Sequence, residues 1–372
     1  MAEDAVKFQS FVGVDLHKCT VTLRAVDPAT QPIAALTVST KCGEKIHNWL
    51  LALPRPVWMA VEACPFIEWF IDRYRSAVDR LDIADATELA NRRGKRPKND
   101  DRDALDVAVR LARGDCPLGW IADDELLHLR KLGRHWWQLS RTLTRAKASM
   151  RSILHSMNLQ GPKLDAACAH KWFLANGQLL KDVYRVSFAN FLDQVALIER
   201  QREDLRLRIT LANRSERFAR VMNLVKSVPG IDEIWACIIT AEIGEFSRFP
   251  NADALEFWAG LTPDNQTSAG KTRAGHITKA GSRTLRWALG NAARCLCRCD
   301  GRQKRLRERV LRNCGRIKPK ANVAMARRLL GTLFAMVRDG TPYDNVEPIN
   351  PAAKATRARL AQRRQKGPAH AA

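Results

Sequence analysis

The sequence predicts an α/β region at the N-terminus followed by a mainly α-helical remainder. The α/β prediction rests on short β-branched runs at 11–16, 20–26, 33–39 and 56–62, separated by Pro, Asp, Thr and Gln. The helical prediction rests on 123–222, which lacks strand signals and is rich in Leu, Arg, Lys, Glu and Gln. Apolar residues recur there at helical spacing. At 372 residues the chain is long enough for two or three domains.

The order of the N-terminal elements narrows the α/β class. The third run is followed by a helix-like stretch at about 44–53 and then by the run at 56–62. A helix at about 66–78, a short strand at 81–84 and helical sequence from Thr87 complete the pattern. Three successive strands, a helix, and then alternating strands and helices is the order of a ribonuclease-H-like domain. Many other α/β folds begin with a similar order.

Two long helices are predicted in the middle of the chain, over 125–159 and about 179–218. Gly161-Pro162 and Asn176-Gly177 interrupt the pattern between them. Two long helices joined by a loop predict a coiled-coil-like hairpin that spaces domains or forms a dimer. Packing within one chain explains the same pattern equally well.

A compact domain restarts near Leu224. The segment VKSVPGIDEIWACIITAEIG has the shape of a helix-hairpin-helix motif, whose turn at Pro229-Gly230 would offer backbone N–H groups to a phosphate. A plain connection between two core helices is the alternative. The predicted domains are an α/β domain (1–122), a helical linker (123–222), a mainly α C-terminal domain (223–345) and a disordered basic tail (346–372).

The charge of the chain indicates an anionic partner. Lys and Arg number 62 against 39 Asp and Glu, which gives a formal net charge of +23. Such an excess is typical of proteins that bind nucleic acid or an anionic membrane. No run of about 18 apolar residues is present, and the start MAEDAVKFQS lacks the order of a signal peptide. We therefore expect an intracellular nucleic-acid-binding protein whose ten cysteines are reduced thiols.

Four acids in the N-terminal region are candidate metal ligands. Asp15 and Glu62 each end an apolar run, and strand ends are where functional groups gather in α/β sheets. Asp100 and Asp103 are three residues apart, which places both carboxylates on one face of a helix. Close carboxylates repel each other and are tolerated best around a divalent cation. Oxygen ligands alone favour Mg²⁺, with Mn²⁺ as an alternative.

The helix that carries these acids also has a simpler explanation. Asn99 followed by acids in a first turn is ordinary helix capping, favoured by the helix dipole. Asp101 and Asp106 lie nearby, and the pair Asp103 and Asp106 has the same three-residue spacing. The spacing alone does not choose between these pairs.

A second candidate site lies in the segment LTPDNQTSAGKTRAGHITKAGSRTLRWAL. Ser268 stands there in a predicted loop of small residues, which lets a ligand approach the backbone closely. The cations that follow it suit a phosphodiester: Lys271, Arg273, Lys279, Arg283 and Arg286. An ordinary basic surface turn is the alternative.

These motifs together resemble the insertion sequence 110 family of transposases, which are bridge-RNA-guided DNA recombinases. The N-terminal resemblance lies in G-V-D at 13–15, A-V-E-A at 60–63 and K-N-D-D-R-D-A at 98–104. The C-terminal resemblance lies in five short motifs: P-G-I at 229–231, R-F-P at 248–250, A-G-L-T-P at 259–263, T-S-A-G at 267–270 and G-H-I-T-K-A-G at 275–281. Family members often have S-S-G-G in the loop, so here Ser268 is the only serine left as a nucleophile.

The resemblance implies a RuvC-like domain in which Asp15, Glu62, Asp100 and Asp103 bind Mg²⁺. It also implies that Ser268 attacks a DNA phosphodiester and forms a covalent phosphoserine link. The partners implied are double-stranded DNA of the element and its target, a non-coding guide RNA, and three further copies of the chain in a tetramer built as a dimer of dimers. The implied location is the bacterial cytoplasm, in association with the nucleoid.

Two other functions remain open from the residues. The first is a metal-dependent junction endonuclease in which water, and not Ser268, attacks the phosphate. The second is a nucleic-acid-binding protein without catalytic activity, in which the acids are purely structural. An intact set of four acids argues against the second function, and the serine between small residues argues against the first.

Overall fold

The computed structural model describes residues 7–93, 99–213, 215–268, 271–344 and 346–347. The chain forms two compact units, Met1–Ala122 and Asp123–Ala372. Of the predicted segments, Lys98, Ala269, Gly270 and nearly all of the tail at 346–372 lie outside the described residues.

The first unit is built on a six-stranded mixed sheet. Its strands are β1 (Ser10–Leu16), β2 (Thr20–Val26), β3 (Pro32–Ser39), β4 (Val57–Glu62), β5 (Arg80–Ala84) and β6 (Leu118–Gly119). They lie in the order β3-β2-β1-β4-β5-β6. Strand β4 is parallel to β1 and β5, whereas the other neighbours are antiparallel. The first five strands fall where the sequence predicts them, and the two-residue β6 is too short to give a sequence signal.

Helices cover both faces of this sheet. They are α1 (Gly43–Leu51), α2 (Ile67–Tyr74), α3 (Ala86–Arg93) and α4 (Asp100–Arg113), with a 3₁₀ turn at Arg75–Ala77. One face of the sheet buries Val14 and Val61 against α1 and α2. The other face buries Phe11 and Trp58 against α4. The alternation of the strand residues thus decides which side chains face α4.

Gly13 fixes the approach of α4 to strand β1. A Cβ atom at this position would overlap the Ala104 carbonyl oxygen and lie 2.6 Å from the Ala108 backbone nitrogen. Only glycine therefore allows the helix backbone to contact the strand here. Helix α4 begins after Asn99, whose side chain accepts from the Asp101 and Arg102 backbone N–H groups, and it ends at Gly114 in the left-handed conformation. The acids of α4 lie at the helix end nearest the carboxyl edge of β1.

The second unit begins with long helices. They are α5 (Asp124–Ser156), α6 (Ala166–Asn176) and α7 (Asp182–Ala212). Helices α5 and α7 pack along one another and bury Met150, Phe188 and Val195. Helix α6 lies where the sequence predicts a loop. Its low amphipathicity, with Ala169 as its one buried residue, explains why the periodicity does not reveal it.

The rest of this unit contains six helices and a hairpin in its described part. The helices are α8 (Glu216–Lys226), α9 (Glu233–Ile243), α10 (Ala252–Trp258), α11 (Arg283–Cys299), α12 (Gly301–Asn313) and α13 (Lys318–Asp339). The predicted helix at 179–218 is divided in two, because α7 ends before Asn213 and α8 begins after Ser215. Strands β7 (Pro263–Ser268) and β8 (Lys271–Ile277) form the hairpin. No helix in the described part of the chain is both long and apolar enough to cross a membrane.

Candidate active site

Asp15 occupies the carboxyl edge of the sheet in the first unit. Asp15 lies near the end of β1 and is only 4% exposed. The parallel pairing of Val14 with Val61 places Asp15 next to Glu62 at the end of β4. A buried carboxylate is unfavourable unless a positive group or hydrogen-bond donors surround it. This edge therefore requires such a partner.

His17 and Asp100 complete a cluster around Asp15. The His17 Nε2 atom lies 3.4 Å from Asp15 Oδ2 and 3.2 Å from Asp100 Oδ1. One ligand atom from each of the three residues lies within 4.8 Å of the others. Two carboxylates and an imidazole at this separation can hold one metal ion.

Sequence reasoning missed His17. A strand places alternate residues on the same face, so Asp15 and His17 were a recognisable pair. His17 was not predicted, because the expected ligand set contained only oxygen atoms and the histidine follows the predicted strand. The mixed set of two oxygens and one nitrogen is less selective for Mg²⁺ than an all-oxygen set.

Glu62 and Asp103 lie at the same edge but outside this cluster. Among the described residues, the group with all ligand atoms within 4.8 Å contains neither of them. Both side chains are partly buried. Burial raises the pKa of the nearby Cys64 thiol, and the negative charges of Glu62 and Asp15 raise it further against a hydrogen bond from the Phe66 backbone. The negative charges of Glu62 and Asp15 thus both act on the Cys64 thiol.

The contacts of α4 distinguish Asp100 and Asp103 from Asp101 and Asp106, which their spacing in the sequence does not do. Asp100 lies in the first turn of α4 beside His17, and Asp103 is partly buried directly before the buried Ala104. Asp101 is exposed and forms an ion pair with Arg24. Asp106 pairs with Arg110, with 2.7 Å between Oδ2 and Nε. Asp101 and Asp106 therefore bind arginines away from the cluster.

Ser268 is the last residue of strand β7, where the sequence predicts a loop. In the hairpin it is paired with Lys271, and Thr267 is paired with Thr272. Ala269 and Gly270, which follow Ser268, lie outside the described residues. The short segment is polar and its sequence has no alternation of apolar residues, so the strand period was not visible.

Two glycine-containing motifs lock the base of this hairpin. Gly260 has a φ of +68°, and a Cβ atom there would lie 2.5 Å from the Ala280 nitrogen. A Cβ atom at Gly281 would overlap the Trp258 carbonyl oxygen. The Lys279 backbone N–H also donates to the Gly260 carbonyl at 3.3 Å. The motifs at 259–263 and 275–281 therefore hold each other backbone to backbone and present the hairpin that carries Ser268.

The predicted phosphate-binding cations differ in their surroundings. Lys271 and Arg273 belong to β8, and Lys279 and Arg283 are exposed. Arg286 instead donates from Nη1 to the carbonyls of Ala259 and Gly281, at 3.2 and 2.5 Å. Burial lowers the pKa of Arg286, helped by the positive charge of Arg283. Arg286 thus supports the base of the hairpin, which is a structural role that the sequence did not reveal.

The turn at Pro229-Gly230 packs against helix α11. Gly230 has a φ of +89°, and a Cβ atom there would lie 2.7 Å from the Cys295 Cβ. Asp232 already caps the next helix, α9, by accepting from the Trp235 N–H at 2.9 Å. A carboxylate therefore occupies the helix N-terminus where the sequence predicted a phosphate. This arrangement favours the plain core connection for this turn.

Comparisons with known proteins show that the sequence is similar to transposases and insertion-element proteins. The sequence profile described as "Transposase IS116/IS110/IS902 family" matches residues 222–308, which contain the turn, the hairpin and Ser268. An insertion element IS110 protein of Streptomyces coelicolor is 30% identical over 125 residues, or 34% of this chain and 31% of that protein. A probable family 20 transposase of Pseudomonas aeruginosa is 24% identical over 346 residues, or 90% of this chain and 98% of that protein. Over residues 222–308 the chain is therefore similar to the IS116/IS110/IS902 family of transposases.

These similarities are all to insertion-element or transposase proteins. An insertion element IS116 protein of Streptomyces clavuligerus matches a comparable part, with 27% identity over 128 residues, or 34% of this chain and 31% of that protein. The chain thus spans about a third of the length of each of the two Streptomyces relatives, and it spans nearly all of the Pseudomonas relative.

Proposed function

We propose that this chain is an IS110-family transposase that cuts and rejoins DNA strands through a covalent phosphoserine link at Ser268, with a divalent cation at the acidic cluster. The observation that carries the proposal is the convergence of Asp15, His17 and Asp100 at the carboxyl edge of the sheet. The three strands, helix, and alternating strands and helices of the first unit support a RuvC-like, ribonuclease-H-type domain.

The residues of the cluster fit a divalent cation. Asp15 and Asp100 supply carboxylate oxygens, which suit Mg²⁺ and Mn²⁺, and His17 adds a nitrogen that Mn²⁺ accepts more readily. Glu62 and Asp103 lie at the same edge and complete the proposed set of acids. When bound, the cation would neutralise charge on the reacting phosphate and assist its displacement.

In the proposed step, the Ser268 hydroxyl oxygen attacks a DNA phosphorus atom. A bond forms between phosphorus and the serine oxygen, the bond to the 3′-oxygen breaks, and the serine proton is transferred to the leaving 3′-oxygen, which becomes a hydroxyl. The 3′-hydroxyl of another strand then attacks the phosphorus of the phosphoserine. A new phosphodiester forms, the bond between phosphorus and the serine oxygen breaks, and the proton of the attacking hydroxyl returns to Ser268. Lys271, Arg273, Lys279 and Arg283 would neutralise the negative transition state.

The covalent link is tested by mixing the protein with its element DNA and separating the products on a denaturing gel. Wild-type protein and Thr267→Ala should give a protein–DNA adduct, and Ser268→Ala should give none while still binding DNA. Free cut ends from Ser268→Ala would show that water is the nucleophile and that the protein is a junction endonuclease. DNA binding without any cleavage by wild-type protein would favour the non-catalytic function.

The cation is tested in the same reaction. Chelator should abolish the adduct, and Mg²⁺ or Mn²⁺ should restore it. Asp15→Asn should keep DNA binding and lose cleavage. Full cleavage in excess chelator would remove the metal from the proposal.

A guide RNA and a tetramer complete the proposal. The net charge of +23 favours a polyanionic partner beyond the cut strands. A protein that makes about six to ten phosphate contacts should lose about 10³–10⁵-fold in RNA affinity between about 50 and 200 mM salt. Recombination that is unchanged after ribonuclease treatment would exclude the guide. Light scattering of the complex that gives a mass below four protein chains would exclude the tetramer.

A further inference from the structure

A groove of about 610 Å³ lies among four helices of the second unit. Helices α5, α7, α9 and α11 each contribute residues, and three of these are tryptophans: Trp136, Trp235 and Trp287. The volume falls within the range of ligand sites, about 300–1,000 Å³. The described residues that line the groove include none of the proposed catalytic residues.

The lining of the groove is strongly basic. It contains five cations: Arg141, Arg145, Lys147, Arg202 and Arg294. The described residues that line it include no carboxylate. Lys147 is neutralised by Glu199, with 2.7 Å between Nζ and Oε1. Arg141 and Arg145 are exposed and form no salt bridge within the described part of the chain, so the groove attracts an anion.

Arg202 is held by an aromatic ring and not by an acid. Its guanidinium carbon lies 4.3 Å from the centre of the Trp136 ring, and its buried Nε has no hydrogen-bond partner among the described residues. Burial lowers the pKa of Arg202, and the charges of Glu199 and Asp232 oppose this change. A guanidinium stacked in this way keeps its charge available to a phosphate or a base.

Two of the groove tryptophans, Trp235 and Trp287, form a partly exposed cluster with the neighbouring Trp137. The ring centres of Trp235 and Trp287 are 4.6 Å apart, and those of Trp137 and Trp287 are 6.4 Å apart. Packing between α5, α9 and α11 explains the ring contacts but not the cations that surround them. Aromatic rings beside arginines are the composition that stacks bases and neutralises phosphates along a single strand. Bases within a duplex are stacked on each other and have no free face for a tryptophan.

We propose that this groove binds an unpaired stretch of nucleic acid, with a base against Trp235 or Trp287 and its phosphates at Arg141 and Arg145. The inference deepens the proposed function, on which it rests for the class of partner. It requires neither Ser268 nor the metal cluster. The same chemistry is offered by a single-stranded region of RNA and by a displaced DNA strand.

The test measures binding of the full chain in excess chelator, so that loss of catalysis does not affect the result. The probes are a labelled single-stranded RNA, the single-stranded DNA of the same sequence, and the DNA duplex. In Arg141→Gln/Arg145→Gln, single-strand affinity should fall about 10-fold, and the slope of log affinity against log salt should fall by about 1.4. The matched control is Arg200→Gln/Arg208→Gln, which removes two exposed charges of α7 outside the groove.

Stacking is tested separately with Trp287→Leu and Trp235→Leu. Each should weaken the normal single strand about 10-fold and leave an otherwise identical abasic strand nearly unchanged. Thermal melting checks that these variants fold. If a tryptophan variant does not fold, the exposed variant Arg141→Gln/Arg145→Gln still tests the proposal.

The arms of the experiment separate the two sources of the ligand. A larger effect of the groove variants on RNA assigns the groove to an RNA strand, and a larger effect on single-stranded DNA assigns it to a displaced DNA strand. Equal weakening by the groove pair and the control pair would overturn the proposal. An effect on the duplex as large as that on the single strands would overturn it as well.

Discussion

At the scale of single residues, Gly13 connects the packing of the sheet to the candidate active site. Its missing side chain lets α4 contact β1, and that contact brings Asp100 to the carboxyl edge near Asp15. A larger residue would move the helix backbone, because the atoms that it meets are the carbonyl of Ala104 and the N–H of Ala108. A backbone contact cannot be relieved by a change of rotamer.

We predict that Gly13→Ala both destabilises the first unit and weakens metal binding at the cluster of Asp15, His17 and Asp100. The overlap should lower the free energy of unfolding by about 1–3 kcal/mol, measured by urea denaturation. The shift of α4 should also weaken Mn²⁺ binding, measured by calorimetry. Gly290→Ala in α11 is the matched control, because its Cβ would meet nothing within 4 Å. It should be neutral or stabilise by up to about 1 kcal/mol. Equal destabilisation by both variants would contradict the contact argument.

His17 gives a second prediction at the same scale. If its imidazole contributes a ligand, His17→Ala should weaken Mn²⁺ binding about 10-fold and weaken Mg²⁺ binding less, because nitrogen suits Mn²⁺ better. Calorimetric titration of the folded protein with each ion measures both effects. His128→Ala, at an exposed position of α5, is the control. Unchanged affinity for both ions would place His17 outside the metal cluster.

At the scale of elements, the N-terminus of α4 decides where the acids lie. The Asn99 side chain accepts from the Asp101 N–H at 3.1 Å and the Arg102 N–H at 3.3 Å. These bonds satisfy donors that the helix itself leaves unpaired, and they fix the first turn that carries Asp100. Capping and metal binding are therefore compatible explanations of these acids, because the cap orders the helix turn that carries Asp100.

We predict that Asn99→Ala lowers the free energy of unfolding by about 1 kcal/mol and weakens metal binding more than this loss alone would require. Fraying of the first turn would move Asp100 away from Asp15 and His17. Asn99→Thr keeps a capping oxygen and should behave nearly as the native protein. Denaturant unfolding and Mn²⁺ titration measure the two effects. Full metal affinity in Asn99→Ala would show that the cap does not position the cluster.

The elements show how far the sequence alone could predict this protein. Strand runs predicted the sheet, and their ends predicted the edge where Asp15 and Glu62 lie, because strand period and length are local properties. Spacing could not separate Asp100 from Asp101 or Asp106, since only packing against Gly13 and pairing with Arg24 and Arg110 does so.

The hairpin and helix α6 show the opposite limit. The hairpin that carries Ser268 was predicted as a loop because its strands are polar and lack an apolar alternation. What holds its base is a backbone contact between Gly260 and Ala280, which no periodicity records. Helix α6 buries too little to give a helical pattern. Tertiary contacts thus decide elements for which the local signal is weak.

At the scale of the whole molecule, chemistry and charge are distributed over two compact units. The acidic cluster lies in Met1–Ala122, and the serine hairpin and the tryptophan groove lie in Asp123–Ala372. Each unit has a hydrophobic core of its own. Chains with separate cores commonly unfold in more than one transition. A ligand that binds to one unit should then raise the midpoint of that unit's unfolding transition.

We predict two calorimetric transitions that respond to different ligands. Mn²⁺ at about 100 times its dissociation constant should stabilise the first unit by about 2.7 kcal/mol, which raises its midpoint by about 10 °C. A single-stranded oligonucleotide should raise the other midpoint, because the groove belongs to the second unit. Asp15→Asn should abolish the Mn²⁺ shift and retain the oligonucleotide shift, and Arg141→Gln/Arg145→Gln should do the reverse. A single transition that Mn²⁺ raises, with the shift lost in Asp15→Asn, would mean that the two units unfold as one and that the cluster stabilises the whole chain.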